Sequence, residues 1–110
     1  MASSFKSATA VNVGTSLTTL YTAPSGTTVT IIGLYLANQS GGAIEATVEF
    51  FDTSASHHAT IVKNTPIPSD STVVAIGGEG KVVLEAGDAI KVQSNVASSM
   101  DVVLSYLEQT

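Results

Sequence analysis

"AIEATVEF", residues 43–50, decides the fold. Ile44, Ala46, Val48 and Phe50 fall on one side of an extended chain while Glu45, Thr47 and Glu49 fall on the other, a strict period of two that belongs to a half-buried antiparallel strand. The next segment outward, "TVTIIGLYLAN" (28–38), is apolar on both sides from Ile31 to Leu36 and is expected to be a central strand covered on both faces, with Gly33 marking a bulge or a close backbone approach. Strand-like runs recur as "SLTTLYT" near residue 20, "HATIVKN" near 60, "TVVAIGG" near 75, "VVLE" from Val82, "AIKVQS" near 92 and "MDVVLSYLEQ" at the end. Turn residues separate them: Pro24-Ser25-Gly26, Gln39 to Gly42, Asp52-Thr53-Ser54, Pro66 to Asp70, Gly77 to Gly80 and Ala86-Gly87-Asp88. No window carries the pattern of a long amphipathic helix. The expected fold is all-β, a single antiparallel β-sandwich of jelly-roll-like type.

An internal echo runs through this pattern. "PSGTTVTIIG" (24–33) and "PSDSTVVAIG" (68–77) share Pro, Ser, Thr, Val, Ile and Gly, and each is followed by an Ala-Ile pair, at Ala43 and Ala89. Both copies state a turn followed by a strand, whether by duplication or because a chain rich in Ser, Thr, Val and Gly repeats itself.

The 110 residues amount to one domain. Residues 1–7, polar apart from Phe5, read as a flexible N-terminal arm that orders on a partner, and residues 8–110 as the sandwich. There is no cysteine, which excludes a disulfide framework or a thiolate metal site and fits folding in a reducing compartment. "MASSFKSATA" lacks the apolar core of a secretion signal, and no apolar run approaches a membrane span.

Charge is sparse. Charged residues make up 12% of the chain, about half the usual share of ~25%, and the four basic residues are all lysine. With a net charge of −5, neither nucleic acid nor an anionic membrane is an expected partner. Hydrophobic residues reach 44%, too many for disorder. A chain with so little charge to cover its surface is expected to bury part of that surface against neighbours, as a homo-oligomer.

The candidate chemical groups are few. Glu85-Ala86-Gly87-Asp88 places two carboxylates around a glycine, yet a calcium loop needs six to eight oxygens, and the stretch is expected to be a corner between strands with Asp88 accepting backbone hydrogen bonds. His57 and His58 point to opposite faces of a strand and offer no metal-ligand spacing. "GGEGK" (77–81) lacks the spacing of a phosphate-binding loop, and no nucleophile elbow is present. Glu45 and Glu49 share a strand face that reads as solvated rather than catalytic. No catalytic residue, metal or cofactor is expected. Phe51 lies outward beside Glu45 and Glu49 and is expected to meet a neighbouring subunit, so the candidate interface residues are Phe5, Phe51, His57 and His58.

The order "YTAPSGTTVTIIGLYLAN" (21–38), "KNTPIPSDSTV" (63–73), "VVLEAGDAIKV" (82–92) and "DVVLSYLE" (101–108) resembles small β-sandwich structural proteins of tailed-bacteriophage virions, among them head decoration (cement) proteins and tail or neck accessory proteins. The likeness spans Ala8 to Glu108. It implies a non-enzymatic decoration protein that binds the outside of the head and stabilises the shell, with the major capsid protein as partner, a homo-oligomer for which a trimer is favoured, and a place in the virion after assembly in the host cytoplasm. The alternatives are a tail, neck or fibre-base component, or a carbohydrate- or receptor-binding module. The last is disfavoured by the absence of Trp and by the placing of Tyr21, Tyr35 and Tyr106 inside strand patterns.

Overall fold

In the computed structural model, which describes residues 2–78 and 80–110, nine strands form two antiparallel sheets packed face to face as a β-sandwich. In chain order these are β1 (Ser3–Val13), β2 (Thr18–Thr22), β3 (Thr28–Asn38), β4 (Ile44–Asp52), β5 (His57–Ile67), β6 (Thr72–Ile76), β7 (Val82–Leu84), β8 (Ala89–Ser94) and β9 (Met100–Gln109). The five-stranded sheet runs β1-β9-β3-β6, with β7 also pairing β3; the four-stranded sheet runs β2-β8-β4-β5. Strands β6 and β7 meet successive stretches of β3, Leu34 to Ala37 and then Val29 to Ile31. They are two pieces of one edge strand, and the connectivity is that of a jelly roll.

The core comes from the period-two strands. Ile44, Ala46 and Val48 of β4, Ile90 and Val92 of β8, and Met100, Val102, Leu104 and Tyr106 of β9 are buried on facing sides of the two sheets. Strand β3 departs from what its sequence suggests. Its pairing with β9 shifts between Ile31 and Gly33, so Ile32 is an extra residue and the alternation changes phase across it. Ile31, Leu34 and Leu36 therefore all face the core, fully buried. The apolar run reflects a bulge within a strand covered on one face by this chain, and the expectation that both faces of β3 are covered is corrected: Tyr35 stands exposed on the outer side.

Polar side chains fix the corners. Asn38 is buried and its Nδ2 donates to the carbonyls of Gly42 (2.8 Å) and Ile67 (2.9 Å), while its Oδ1 accepts from the Ser40 N–H (2.9 Å). It thereby ties the β3–β4 turn to the end of β5. Ser94 and Ser99 join their hydroxyls at 2.6 Å beneath the β8–β9 connection. Among the described residues no buried side-chain nitrogen or oxygen lacks a partner, as a well-ordered interior requires.

The arm and the echo can both be located. Ser3 to Ser7 form the first half of β1, paired with β9 from Gln109 to Ser105, and β1 runs unbroken across residues 7 and 8; Met1 lies outside the described residues. The two echoing segments open β3 and β6, which are antiparallel neighbours, and the Ala-Ile pairs that follow open β4 and β8, also antiparallel neighbours. The repeated words thus sit on neighbouring strands of each sheet.

Candidate assembly surfaces

The outer face of the five-stranded sheet is set by alternation in β9. Met100, Val102, Leu104 and Tyr106 point inward, so Asp101, Val103, Ser105 and Leu107 point outward. Cross-strand register then builds rows. One row holds Phe5, Leu107, Thr30 and Val83; the next holds Ser7, Ser105 and Gly33; a third holds Thr9, Val103, Tyr35 and Val74. Phe5, Tyr35, Val74, Val83 and Val103 keep between 42% and 78% of their surface in solvent. The Tyr35 ring lies over Gly33, where a Cβ would stand 3.2 Å from its Cε2 and Oη, so the glycine lets the ring lie close against the sheet. None of these three rows holds a charged side chain; Asp101, paired with Ala37, opens the next row beyond Val103. It sits at one end, held by the Gln39 side chain at 3.0 Å and the Asn12 N–H at 3.1 Å.

The outer face of the four-stranded sheet is built from the same alternation with different residues. Glu49 lies between Lys91 and Thr60, and Phe51 between Ala89 and His58. His58 Nδ1 is 2.8 Å from a Glu49 oxygen. The Phe51 ring has the His58 ring 4.8 Å away, centroid to centroid, and the Lys91 ammonium 4.8 Å from its centroid. Phe51 is thus covered by Lys91 and His58 of its own sheet. Of the candidate interface residues, the structure brings Phe51 and His58 together, sets His57 beside Asp52 on the opposite side of β5, and puts Phe5 on the other sheet. The Asp52 carboxyl is held below the usual carboxylate range, chiefly by the Ser54 hydroxyl and the Ala55 N–H.

A third cluster joins the two sheets at one end of the sandwich. Lys6 Nζ lies 2.8 Å from Glu108 Oε1, and the Tyr21 hydroxyl donates to Glu108 Oε2 at 2.6 Å. The Tyr21 and Tyr106 rings meet at 4.3 Å. The hydrogen bonds from Lys6 and Tyr21 lower the pKa of Glu108; the bond to Glu108 raises that of Lys6, while burial and the bond to Glu108 raise that of Tyr21. This cluster fastens β1 to β9 and β9 to β2.

The Glu85–Asp88 stretch is a corner. Gly87 adopts φ +91°, a value that favours glycine. The buried Asp88 carboxylate accepts from the Glu85 N–H at 3.0 Å and from the Thr53 N–H at 3.1 Å, so it locks two turns together. Among the described residues no group of three or more His, Asp or Glu is placed to hold a metal ion. A polar cleft of about 180 Å³ is lined by Thr15, Glu45, Thr47, Asn64, Gln93, Ser94 and Asn95. It is smaller than the ~300 Å³ at which small-molecule pockets begin, and no aromatic ring lines it.

Apart from Phe5, sequence reading missed the outer face of the five-stranded sheet. Val74, Val83 and Val103 carry the signal in their alternation, but Tyr35 is masked by the bulge that precedes it, and β1 by its serines and alanines. Tyr21, Tyr35 and Tyr106 all lie in strands, as their patterns suggest; Tyr106 is buried there and Tyr35 is exposed.

No family model matches the chain, and no curated protein matches it. A solved structure does. It is described as that of Bacillus endospore appendages, a novel family of disulfide-linked pili; it is 11% identical, aligns over 99% of this chain and 87% of that one, and has a TM-score of 0.59. What the two share is the fold. This finding overturns the expected likeness to tailed-phage virion proteins, and with it the reading as a head decoration, tail or neck protein or a carbohydrate-binding module, the major capsid protein as partner and the virion as location. The words that suggested a virion protein are turns and strands, which recur wherever a jelly roll is built and carry no information about the assembly it serves.

Proposed function

We propose that this chain is a non-enzymatic structural subunit that assembles with copies of itself into a fibre of pilus type outside the cell. The observation that carries the reading is the match of nearly the whole chain to the fold of a pilus protein. It is supported by a sheet face from which charge is almost absent, and by a corner in which the buried Asp88 carboxylate serves the turns. Within these 110 residues there is no cysteine, so the subunits here are held by packing and hydrogen bonds, in contrast to the disulfide-linked pili of the matching structure. Phe5 belongs to the contact surface in this reading. Phe51, His57 and His58 do not.

The test is to purify the chain, raise its concentration and follow assembly by sedimentation and negative-stain electron microscopy, with and without a thiol reductant. Fibres that form equally in both conditions are the expected result. A chain that stays monomeric at every concentration overturns the reading.

A further inference from the structure

We infer that the outer face of the five-stranded sheet docks on the same face of a second copy of this chain, related by a two-fold axis near Ser105. The inference rests on the self-assembly reading and names one of its contacts: a two-fold contact pairs subunits, and a fibre needs a second, head-to-tail contact besides.

Charge selects the occupant. The chain carries −5 overall, so two copies repel unless they meet where charge is missing. On the outer face of the four-stranded sheet, a self-contact desolvates Glu45 and Glu49 of both copies, and burying carboxylates costs more than their partners return. On the five-stranded face the rows from Phe5 to Val83 and from Thr9 to Val74 hold only apolar and hydroxyl side chains, with Asp101 already paired to Gln39 at the rim. Rows free of charge of either sign, with the one carboxylate at the rim, suit their own copy, because a two-fold contact sets each patch against itself.

Area and relief agree with charge. Four strands side by side at ~4.8 Å, each showing about eight residues at ~3.3 Å, present a flat area of roughly 500 Å². Two such faces together amount to about 1,000 Å², the least that a specific protein contact buries. Ser7 and Ser105 leave a furrow between two apolar ridges, closed at its Gly33 end by the Tyr35 ring. When two twisted sheets cross at about 30°, a ridge of one lies across the furrow of the other. Tyr35, lodged over Gly33, supplies an ordered aromatic near the centre, the kind of residue on which contact energy concentrates.

The absence of native cysteine makes the test clean. Single variants Ser105→Cys and Gln93→Cys, one on each outer face, are treated with a short bis-maleimide; in parallel, sedimentation compares the parent with Val103→Glu, Tyr35→Ser and the opposite-face control Thr19→Glu, circular dichroism confirming the fold of each. The expected result is covalent dimer from Ser105→Cys and none from Gln93→Cys, with Val103→Glu weakening association at least about tenfold, Tyr35→Ser weakening it less and Thr19→Glu leaving it unchanged. Fibres or oligomers that persist while Gln93→Cys cross-links better, or while both Val103→Glu and Tyr35→Ser associate as tightly as the parent, overturn this contact and leave self-assembly standing. A parent that never leaves the monomer overturns both.

Discussion

The two outer faces of this sandwich are made by the same device and come out opposite in character. Each is the solvent side of strands whose other side fills the core. On β4 and β8 the outward positions are Glu45, Thr47, Glu49, Phe51, Lys91 and Gln93, and Phe51, the one large apolar group, is covered by His58 and Lys91. On β9, β3 and their neighbours the outward positions are Val103, Ser105, Leu107, Tyr35, Val74 and Val83. One face is finished for water by its own side chains. The other lacks that covering, and the difference locates assembly more sharply than overall composition does, because a low charge count says only that some surface needs a neighbour.

The strongest way to break the comparison is to remove what both faces stand on. Leu104 is fully buried on β9 between the sheets. Leu104→Ala is expected to cost about 2–5 kcal/mol, as truncations that leave a core cavity do, and to weaken assembly only by unfolding the subunit. Urea denaturation checks it: a change under about 1 kcal/mol would mean that the sandwich collapses around the gap and that the faces do not depend on a rigid core.

The next effect is confined to one corner. Asp88→Ala removes the buried acceptor shared by the Glu85 and Thr53 N–H groups and is expected to destabilise the fold by about 1–3 kcal/mol, since two hydrogen bonds to a charged group are lost. Association of the folded fraction should be untouched, because the corner lies on neither face. A thermal melt coinciding with that of the parent would contradict the structural role given to this carboxylate.

How much of this was legible beforehand depends on what each residue had to reveal. Ile44 to Phe50 disclosed strand and face without help, because a period of two has one reading; the register with β5, which slips twice between Ala46 and Glu49, is not written in it. The Asp88 corner was legible for a similar reason: an Asp after Gly between two strands has few other uses. Tyr35 was not legible, since the bulge at Ile32 shifts the phase of β3 and no local pattern states whether alternation continues or slips. Strand β1 was hidden because Ser, Ala and Thr do not distinguish an arm from an edge strand; its pairing depends on β9, almost a hundred residues away. The assembly the fold serves was least legible of all, for neither turns nor strands encode it.

A smaller effect tests the clamp that holds β1. The folded-state pKa of Glu108 lies below its ordinary value of 4.5 because Lys6 and Tyr21 donate to it. Its contribution is therefore complete above that ordinary value and lost as pH falls through the lower, folded one. Glu108→Gln should lower the melting temperature near neutral pH, with the gap from the parent closing as the solution is acidified. The Asp52 contribution, lost in the same direction, remains in both proteins, so the variant keeps some acid sensitivity. Lys6 works from the other side: its raised pKa makes its share complete below 10.5 and lost as pH rises through the raised value. Solvent access and salt screen the pair, and a gap that stays constant from neutral to acid pH would assign the loss to packing instead of charge.

The smallest effect sharpens the contrast from the covered side. Phe51→Ala removes the ring that Lys91 and His58 rest on, interactions worth about 0.5–1 kcal/mol at exposed sites. Glu49 keeps His58 in place at 2.8 Å, so the face remains polar and the sheet intact. Stability should fall by that modest amount and association not at all, whereas Phe51 at a subunit contact, the role its sequence position suggests, would cost far more in assembly than in folding. Measuring both on one variant separates an aromatic that finishes a surface from one that joins two.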